Sequence, residues 1–307
     1  MPLWAFLLCF FVAALWAISP IMTARGRANA SCTVNEINPV RSLSFFISSL
    51  AIALIANSGD LNFVTSLRAL GALFATVTIS YIIGDILCFS AIKEIGVSLA
   101  IPISNTYPVM TPFFALLLLG EDITFRIMFG ISFVVAGIAL LNFGGKNKLS
   151  FDFKNTSSLP MLKGVSLALG ASLAWAFSAP FMKMAITYSE MGPIDIAFNK
   201  SLVFFIVAWA YRFYKVKFSP LKTQPIMSLP LKTLGYFSGA AFIGLCLGSI
   251  FQALCLKTIS VNIVTAITAT SPFIAALFGH FVLKDLLTKF QWVGVALIIG
   301  GSIFVAL

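Results

Sequence analysis

Apolar residues in this chain come in long continuous runs. They do not alternate with polar residues at the two-residue period of a half-buried strand. Ten runs stand out, at about 3–24, 42–58, 67–92, 96–119, 124–143, 161–186, 193–211, 232–256, 261–283 and 289–307. A helix crosses the hydrocarbon of a bilayer with ~20 residues at a rise of ~1.5 Å each, and each run is close to or beyond that length. The stretches between them are short. The longest, "KNKLSFDFKNTSSLP" and "YKVKFSPLKTQPIMSLP", are basic, polar and contain Pro. The pattern predicts an all-α membrane protein with ten transmembrane helices.

Composition points the same way. The 307 residues are 60% hydrophobic and 10% charged, against about 25% charged in a soluble domain, so the chain could not cover itself with polar surface in water. The net charge of +10 raises the question of a nucleic-acid partner. The Lys and Arg residues lie at helix ends and in loops, as at a membrane surface, so the expected partner is the lipid bilayer. Ala28-Asn29-Ala30 after the first run resembles a signal-peptidase site, but no basic residue precedes that run, and no cleavage is expected. Cys9, Cys88, Cys246 and Cys255 lie in apolar runs and Cys32 in a loop. With His280 as the one histidine, no metal-ligand spacing arises, and neither metal nor cofactor is expected.

The chain also repeats itself. Shifted by 164 positions, residues 67–143 align with 231–307 without a gap, with about 17 identities in 77 positions. Gly84 meets Gly248, Lys93 meets Lys257, Thr106 and Pro108 meet Thr270 and Pro272, and Gly130 and Gly137 meet Gly294 and Gly301. Greasiness alone does not match Gly, Pro, Lys and Thr. Upstream, "LWAISPIM" (15–22) and "AWAFSAPFM" (174–182) pair Trp16 and Ser19 with Trp175 and Ser178. These matches predict a five-helix unit at 1–143, a connecting loop at 144–160 and a second five-helix unit at 161–307. An odd number of spans per unit makes the second enter the membrane the other way up, giving inverted repeats about a pseudo-two-fold axis in the membrane plane.

These phrases, with "AIKEIGVSLAIPISNTYPVMTPFFALLLLGEDITFRIMFGISFVVAGIALL" and "CLKTISVNIVTAITATSPFIAALFGHFVLKDLLTKFQWVGVALIIGGSIFVAL" closing the two units, resemble the EamA branch of the drug/metabolite transporter superfamily over nearly the whole chain. The resemblance implies ten helices and export or exchange of small polar metabolites through a central cavity. That cavity would be lined by helices 1, 3, 4 and their mates, with helices 5 and 10 peripheral. Two departures stand out. The acidic position of the second unit reads Lys284-Asp285 where Glu is commoner, and the loop after helix 2 lacks the basic cluster many relatives carry. The first helix contains no Asp or Glu, the residue that small multidrug exporters of this superfamily use for cationic drugs. A zwitterionic, neutral or anionic substrate fits better, amino acids among them.

Polar residues inside the runs are the candidate substrate-cavity residues. "IPISNTYPVMTP" places Ser104, Asn105, Thr106 and Tyr107 among Pro102, Pro108 and Pro112, and "TAITATSPF" places Thr268, Thr270 and Ser271 before Pro272. A proline removes a backbone donor and frees a carbonyl one turn back. Such breaks either face a binding site at mid-membrane or merely kink the helix, with Ser and Thr bonding their own backbone. Asp85 is the carboxylate placed deepest in a run. At the bilayer centre a charge costs ~2.5–3.5 kcal/mol on insertion scales, so Asp85 should face the bundle interior as a proton or ammonium site, or pair with Lys93 near a helix end. Lys200 could attract an anionic group, but snorkelling to the interface is the expected outcome, and Lys183 near the end of the sixth run reads the same way. Gln252 could face a cavity or bond a neighbouring helix. Trp16 and Trp175, each with a Ser three residues on, could form an amphipathic cavity wall or sit in an interfacial belt. The glycines Gly244, Gly248, Gly130, Gly137, Gly294, Gly300 and Gly301 are expected to pack helices within one chain, a monomer being favoured over a homodimer.

Most of the 20 Lys and Arg follow odd-numbered spans, which by the positive-inside rule places both termini outside; the resemblance implies both inside. Two other functions compete. A lipid-modifying membrane enzyme needs a cluster of His, Asp, Glu or Cys, which the chain lacks, so no enzyme is expected. A structural or assembly protein would need no broken, duplicated helices. No ATP-binding loop appears. The expectation is a secondary transporter in the cell (plasma) membrane.

Overall fold

The computed structural model describes residues 2–30, 32–143, 158–218, 224–274, 277 and 288–306. Most of the predicted connector, the end of the ninth predicted span, His280, Lys284 and Asp285 lie outside the described residues, as does the side chain of Pro102.

The described chain is helical and contains no strand. In an apolar solvent every backbone polar group must be satisfied within the protein, and continuous apolar runs do so as helices. Among the described residues, seven helices are long and apolar enough to cross a membrane: α1 (Leu3–Ala28), α2 (Val34–Ala56), α3 (Leu67–Ile95), α7 (Leu159–Ser189), α8 (Pro193–Phe218), α9 (Leu231–Thr258) and α11 (Lys289–Ala306). The fourth predicted span is divided into α4 (Val97–Ser104) and α5 (Tyr107–Leu119), and α6 (Phe125–Phe143) follows. The ninth begins as α10 (Val261–Thr268). Local chemistry sets several ends. Thr33 and Glu36 form a capping box at the start of α2, satisfying orphan donors reciprocally. Gly120 ends α5 in the left-handed conformation, φ +69°, which only glycine adopts at no cost.

The chain forms two compact units, and each draws on both sequence repeats. One comprises Met1–Ala14, Ile83–Pro180 and Ile259–Leu307; the other comprises Leu15–Ile82 and Phe181–Thr258.

In the second unit α2 and α8 pack antiparallel. Arg212, late in α8, donates to the Asn35 carbonyl at the start of α2 (2.8 Å), while Asp195, early in α8, accepts from Asn57 just past the end of α2 (2.7 Å). Midway, Phe46 stacks on Phe205 with ring centroids 5.4 Å apart, and the Ser49 and Ser201 hydroxyls meet at 2.6 Å.

In the first unit α6 and α11 also run antiparallel. Gly130 lies against Gly301 and Gly137 against Gly294; a methyl on Gly137 would sit 2.6 Å from the Gly294 carbonyl oxygen. Backbones come this close only where no side chain intervenes. Gly300, next in sequence, has nothing within 4 Å. The packing role predicted for Gly130, Gly137, Gly294 and Gly301 is therefore met inside one chain, and Gly300 does not share it.

One feature had no signal in the hydrophobic pattern. The middles of α3 (Val77–Gly84) and α9 (Ala241–Leu247) are π-helical. They begin 164 residues apart, at matched positions of the repeat.

Candidate functional site

A π-helical segment bonds each N–H five residues back instead of four, so it disturbs the regular carbonyl ladder; such segments are frequent at functional sites. In α9 the affected carbonyls meet the repeated Trp-x-x-Ser phrase. Trp16 Nε1 donates to the Gly244 carbonyl (3.1 Å) and Ser19 Oγ to the Ala240 carbonyl (2.8 Å). The indole lies so close to α9 that a methyl on Gly248 would fall 2.6 Å from Nε1. The mate position has the same fit: a methyl on Gly84, at the end of the α3 π segment, would fall 2.6 Å from Trp175 Nε1. Thus Trp16 and Trp175 seat on glycines that are themselves repeat mates. Ser19 is buried and Ser178 half-buried. Gly244, predicted to pack helices, accommodates Ser19, whose Oγ would be 2.5 Å from an added methyl.

The proline-bearing segments break at equivalent places. Asn105–Thr106 separates α4 from α5, and Ala269–Thr270 interrupts the chain after α10; the two breaks are again 164 residues apart. Pro108 and Pro272 each lie two residues beyond their break, whereas Pro102 and Pro112 sit inside helices. The side chains at the breaks mostly serve the interrupted backbone. Asn105 Nδ2 donates to the Ile101 carbonyl (3.0 Å), Thr106 Oγ1 to Ile103 (2.7 Å), Thr268 Oγ1 to Val264 (2.8 Å) and Thr270 Oγ1 to Ile267 (2.7 Å). Thr106 also reaches Ser172 Oγ at 3.1 Å. Tyr107 has the Thr268 hydroxyl as its hydrogen-bond partner, so the two breaks touch inside the first unit. Ser104 is fully buried, and Ser271 is half-buried at the second break.

Glu121, the acidic residue of the first closing pattern, caps α10. Its carboxylate accepts from the Val261 N–H (2.9 Å) and the Asn262 N–H (3.4 Å), where a negative charge also complements the helix dipole.

Asp85 directly follows the α3 π segment, half-buried and one turn before Cys88. Gln252 is buried on α9, one turn beyond Ser249.

The two lysines expected to snorkel differ: Lys183 is half-buried toward the end of α7 and Lys200 is buried. Lys183 Nζ donates to the Leu256 carbonyl near the end of α9, where α9 runs out of backbone donors. Lys200 is 1% exposed. Its Nζ lies 3.4 Å from Ser249 Oγ and 5.0 Å from the centre of the Tyr81 ring. Snorkelling needs a stem that runs along a helix surface toward water, but Lys200 sits on the face of α8 that packs into the second unit, among Phe198, Ser201 and Phe204, all buried. Removing an ammonium from water costs several kcal/mol. A cation–π contact returns ~0.5–2 kcal/mol, and a hydrogen bond at 3.4 Å is long. Among the described residues no carboxylate pairs with Lys200.

The sequence held a signal for this residue. Shifted by 159 positions, the offset that pairs Trp16 with Trp175, residues 33–47 align with 192–206: Glu36 meets Asp195, Arg41 meets Lys200, Ser42 meets Ser201, and Phe45, Phe46 and Ile47 meet Phe204, Phe205 and Ile206. A basic residue thus recurs at one register of both repeats, half-buried as Arg41 and buried as Lys200. Both residues bear on Tyr81 of the α3 π segment. Lys200 faces its ring, while Arg41 donates to Asn38 Oδ1 (3.2 Å) and Asn38 Nδ2 donates to the Tyr81 carbonyl (2.8 Å).

Two surface grooves, one lined by Leu159, Met161, Leu162 and Val165 and one by Phe129, Phe133 and their α11 neighbours, are apolar and present nothing to orient a polar molecule. The polar residues described above within each unit are the better candidates.

The sequence profile of the EamA-like transporter family matches residues 3–143 and again residues 162–307. The chain belongs to the EamA-like transporter family. A protein of Archaeoglobus fulgidus named "Uncharacterized transporter" is 24% identical over 279 residues, covering 91% of this chain and 89% of its own. A solved crystal structure superposes with a TM-score of 0.74 at 16% identity, covering 99% of this chain and 98% of its own; that likeness speaks to the fold. As a member of this family the chain is a multi-pass integral membrane protein and a membrane transporter of the drug/metabolite type, which points away from an enzyme.

Proposed function

We propose that the protein is a secondary transporter of small polar metabolites, amino acids among them, working by alternating access in the cell membrane, and that it is built from two inverted five-helix repeats, 1–143 and 161–307, joined by 144–160. The observation that carries this reading is the doubled set of irregular helices: π segments in α3 and α9, and chain breaks at Asn105–Thr106 and Ala269–Thr270, all at one offset. Irregular backbone at membrane depth is tolerated where protein or a polar cavity satisfies it, and paired broken helices in related halves mark the substrate site of many secondary transporters. The antiparallel pairs α2–α8 and α6–α11, each meeting through repeat-mated residues, support the inverted relation. Inverted repeats allow inward- and outward-open states of near-equal energy, which alternating access requires.

In this reading Trp16, Ser19 and Gln252 in the second unit, and separately Tyr107, Trp175 and Ser178 in the first, are the substrate-contact candidates of their units, and Asp85 carries a coupled proton. The test is uptake by proteoliposomes of the purified protein, with amino acids, nucleosides and sugar phosphates as probes, with and without a pH gradient. Saturable uptake that responds to the gradient and is lost in Asp85→Asn is the expected result. Uptake that ignores both would assign Asp85 a structural role and the protein an exchange or facilitated mechanism. No saturable uptake of any probe would favour an assembly role.

A further inference from the structure

Among the described residues of the second unit, Lys200 is a fully buried basic side chain with few partners. Its ammonium has three donors to place, and within this unit it finds one hydroxyl, Ser249 Oγ at 3.4 Å, and one ring face, Tyr81 at 5.0 Å. Lys200 and Ser249 are buried and Tyr81 is half-buried. Three details separate this from an accident of packing. Arg41 holds the mate position and is half-buried, so both repeats carry a basic residue at this register. Ser249 is the repeat mate of Asp85, so where the first repeat carries a carboxylate the second carries a small hydroxyl beside the ammonium. Tyr81, which Lys200 faces, lies in the π segment of α3, and Ser249 lies two residues beyond the π segment of α9. The ammonium therefore sits between the two irregular helices, in the part of this unit where backbone polarity is concentrated. Gln252, buried one turn beyond Ser249, adds an amide to the same helix.

We propose that Lys200 is the anion-binding group for the transported molecule and that the substrate carries a carboxylate. The inference rests on the transport reading and names its substrate class. A single ammonium beside a serine hydroxyl matches one carboxylate: one oxygen takes the charge-assisted bond, the other a bond from Ser249 or Gln252. A phosphate ester, with a charge near −1.5 to −2 at neutral pH, would ask for more positive charge than this set provides. Tyr81 forms the wall behind the ammonium and keeps it from drifting.

The experiment compares matched acids and amides on the full-length protein in nanodiscs: L-threonine against L-threoninamide, L-phenylalanine against L-phenylalaninamide, and succinate against succinamide. Binding is read by thermal stabilisation and by displacement of the best radiolabelled acid, and transport by counterflow in proteoliposomes. At least one acid is expected to bind far more tightly than its amide. Lys200→Gln should weaken the acid by about ten- to a hundredfold, the range of one charge-assisted hydrogen bond, while leaving the amide unchanged. Ser249→Ala, a milder change that keeps the charge, should weaken the acid less and in the same direction. Lys200→Arg should retain preference for the acid. The proposal is overturned if amides bind as well as acids, if Lys200→Gln weakens both alike, or if no acid binds at millimolar concentration. If Lys200→Gln does not fold, Ser249→Ala and Lys200→Arg decide, and an unchanged acid preference in Ser249→Ala with loss of it in neither variant counts against the site. The two readings fail separately: acids that bind through Lys200 yet show no counterflow defeat transport, and counterflow of neutral or cationic probes alone defeats the carboxylate.

Discussion

A single methyl group tests the close packing of α6 against α11. On Gly301 the new carbon would lie 2.6 Å from the Gly130 carbonyl oxygen, 2.9 Å from Phe133 Cβ and 3.0 Å from Val134 Cγ2. The first of these atoms is backbone and cannot rotate away. Restoring an ordinary separation near 3.4 Å requires α6 and α11 to part by about 0.8 Å, and a radial gap of ~0.5–1 Å forfeits a quarter to a half of each dispersion well it opens. Overpacking of this kind costs ~1–3 kcal/mol, offset by up to ~1 kcal/mol from the better helix propensity of Ala. Gly301→Ala should therefore destabilise by about 1–2 kcal/mol. Gly300→Ala meets open space and should be neutral or gain up to ~1 kcal/mol from the same propensity. Neighbouring residues with identical substitutions thus move in opposite directions. Thermal unfolding of the purified protein in detergent, followed by circular dichroism, should show Gly301→Ala several degrees below wild type, at ~2–4 °C per kcal/mol, and Gly300→Ala at or above it. Equal melting temperatures for the two variants would refute the close α6–α11 contact. The double substitution at Gly130 and Gly301 should cost less than the sum of the singles, since once the helices part the second methyl finds room.

Gly84→Ala and Gly248→Ala each place a methyl 2.6 Å from an indole nitrogen, and both should displace the Trp and shift its fluorescence maximum; a change in only one would break the equivalence of the two seats. Glu121→Ala leaves the Val261 and Asn262 amides without their acceptor, which should cost ~1–3 kcal/mol and speed hydrogen exchange at those two positions before the rest of α10. Burial foremost, with the Glu36 carboxylate behind it, raises the Cys32 thiol above its ordinary range. Because the thiolate is the reactive form, a given pH holds less of it in the folded protein, so maleimide labelling of Cys32 should rise with pH along a curve displaced to higher pH than in the denatured chain; coincident curves would contradict the burial. Lys163→Ala removes a largely exposed ion pair with Glu94 and should change stability by less than ~1 kcal/mol.

The helices and their places were legible because the bilayer imposes one rule on every span: apolar throughout, with all backbone groups bonded internally. The division of the fourth span was legible in Pro108, though the break falls at Asn105–Thr106, where the two side chains can bond the carbonyls that the turn exposes. The π segments were not legible. A π turn needs one residue more than an α turn and no particular composition: "AFIGLCLG" has no polar side chain, and Thr78, Ser80 and Tyr81 in "VTISYIIG" would sit equally well in an α-helix. What betrays them is the outside partner: Trp16 and Ser19 bond carbonyls in and beside the π segment of α9, and a phrase conspicuous in the sequence turns out to satisfy a feature that is silent in it.

Lys200 shows the same limit from the other side. Read along its own helix, a lysine two turns from an end has a stem long enough to reach water, and snorkelling is the cheaper outcome. The cost depends on which face meets α9, and that is fixed by Phe198, Phe204 and Ser201 packing inward on the same stripe. The second repeat could have supplied that information, because a residue that snorkels is free to vary in position, whereas Arg41 and Lys200 stand at one register beside matched acidic and aromatic neighbours. On the proposed inverted arrangement, a basic residue kept at one register of both repeats, half-buried as Arg41 and buried as Lys200, has a role that both orientations require. In a transporter that alternates between two near-equivalent states, the role that meets this condition is to hold the same charge of a passing molecule from either side.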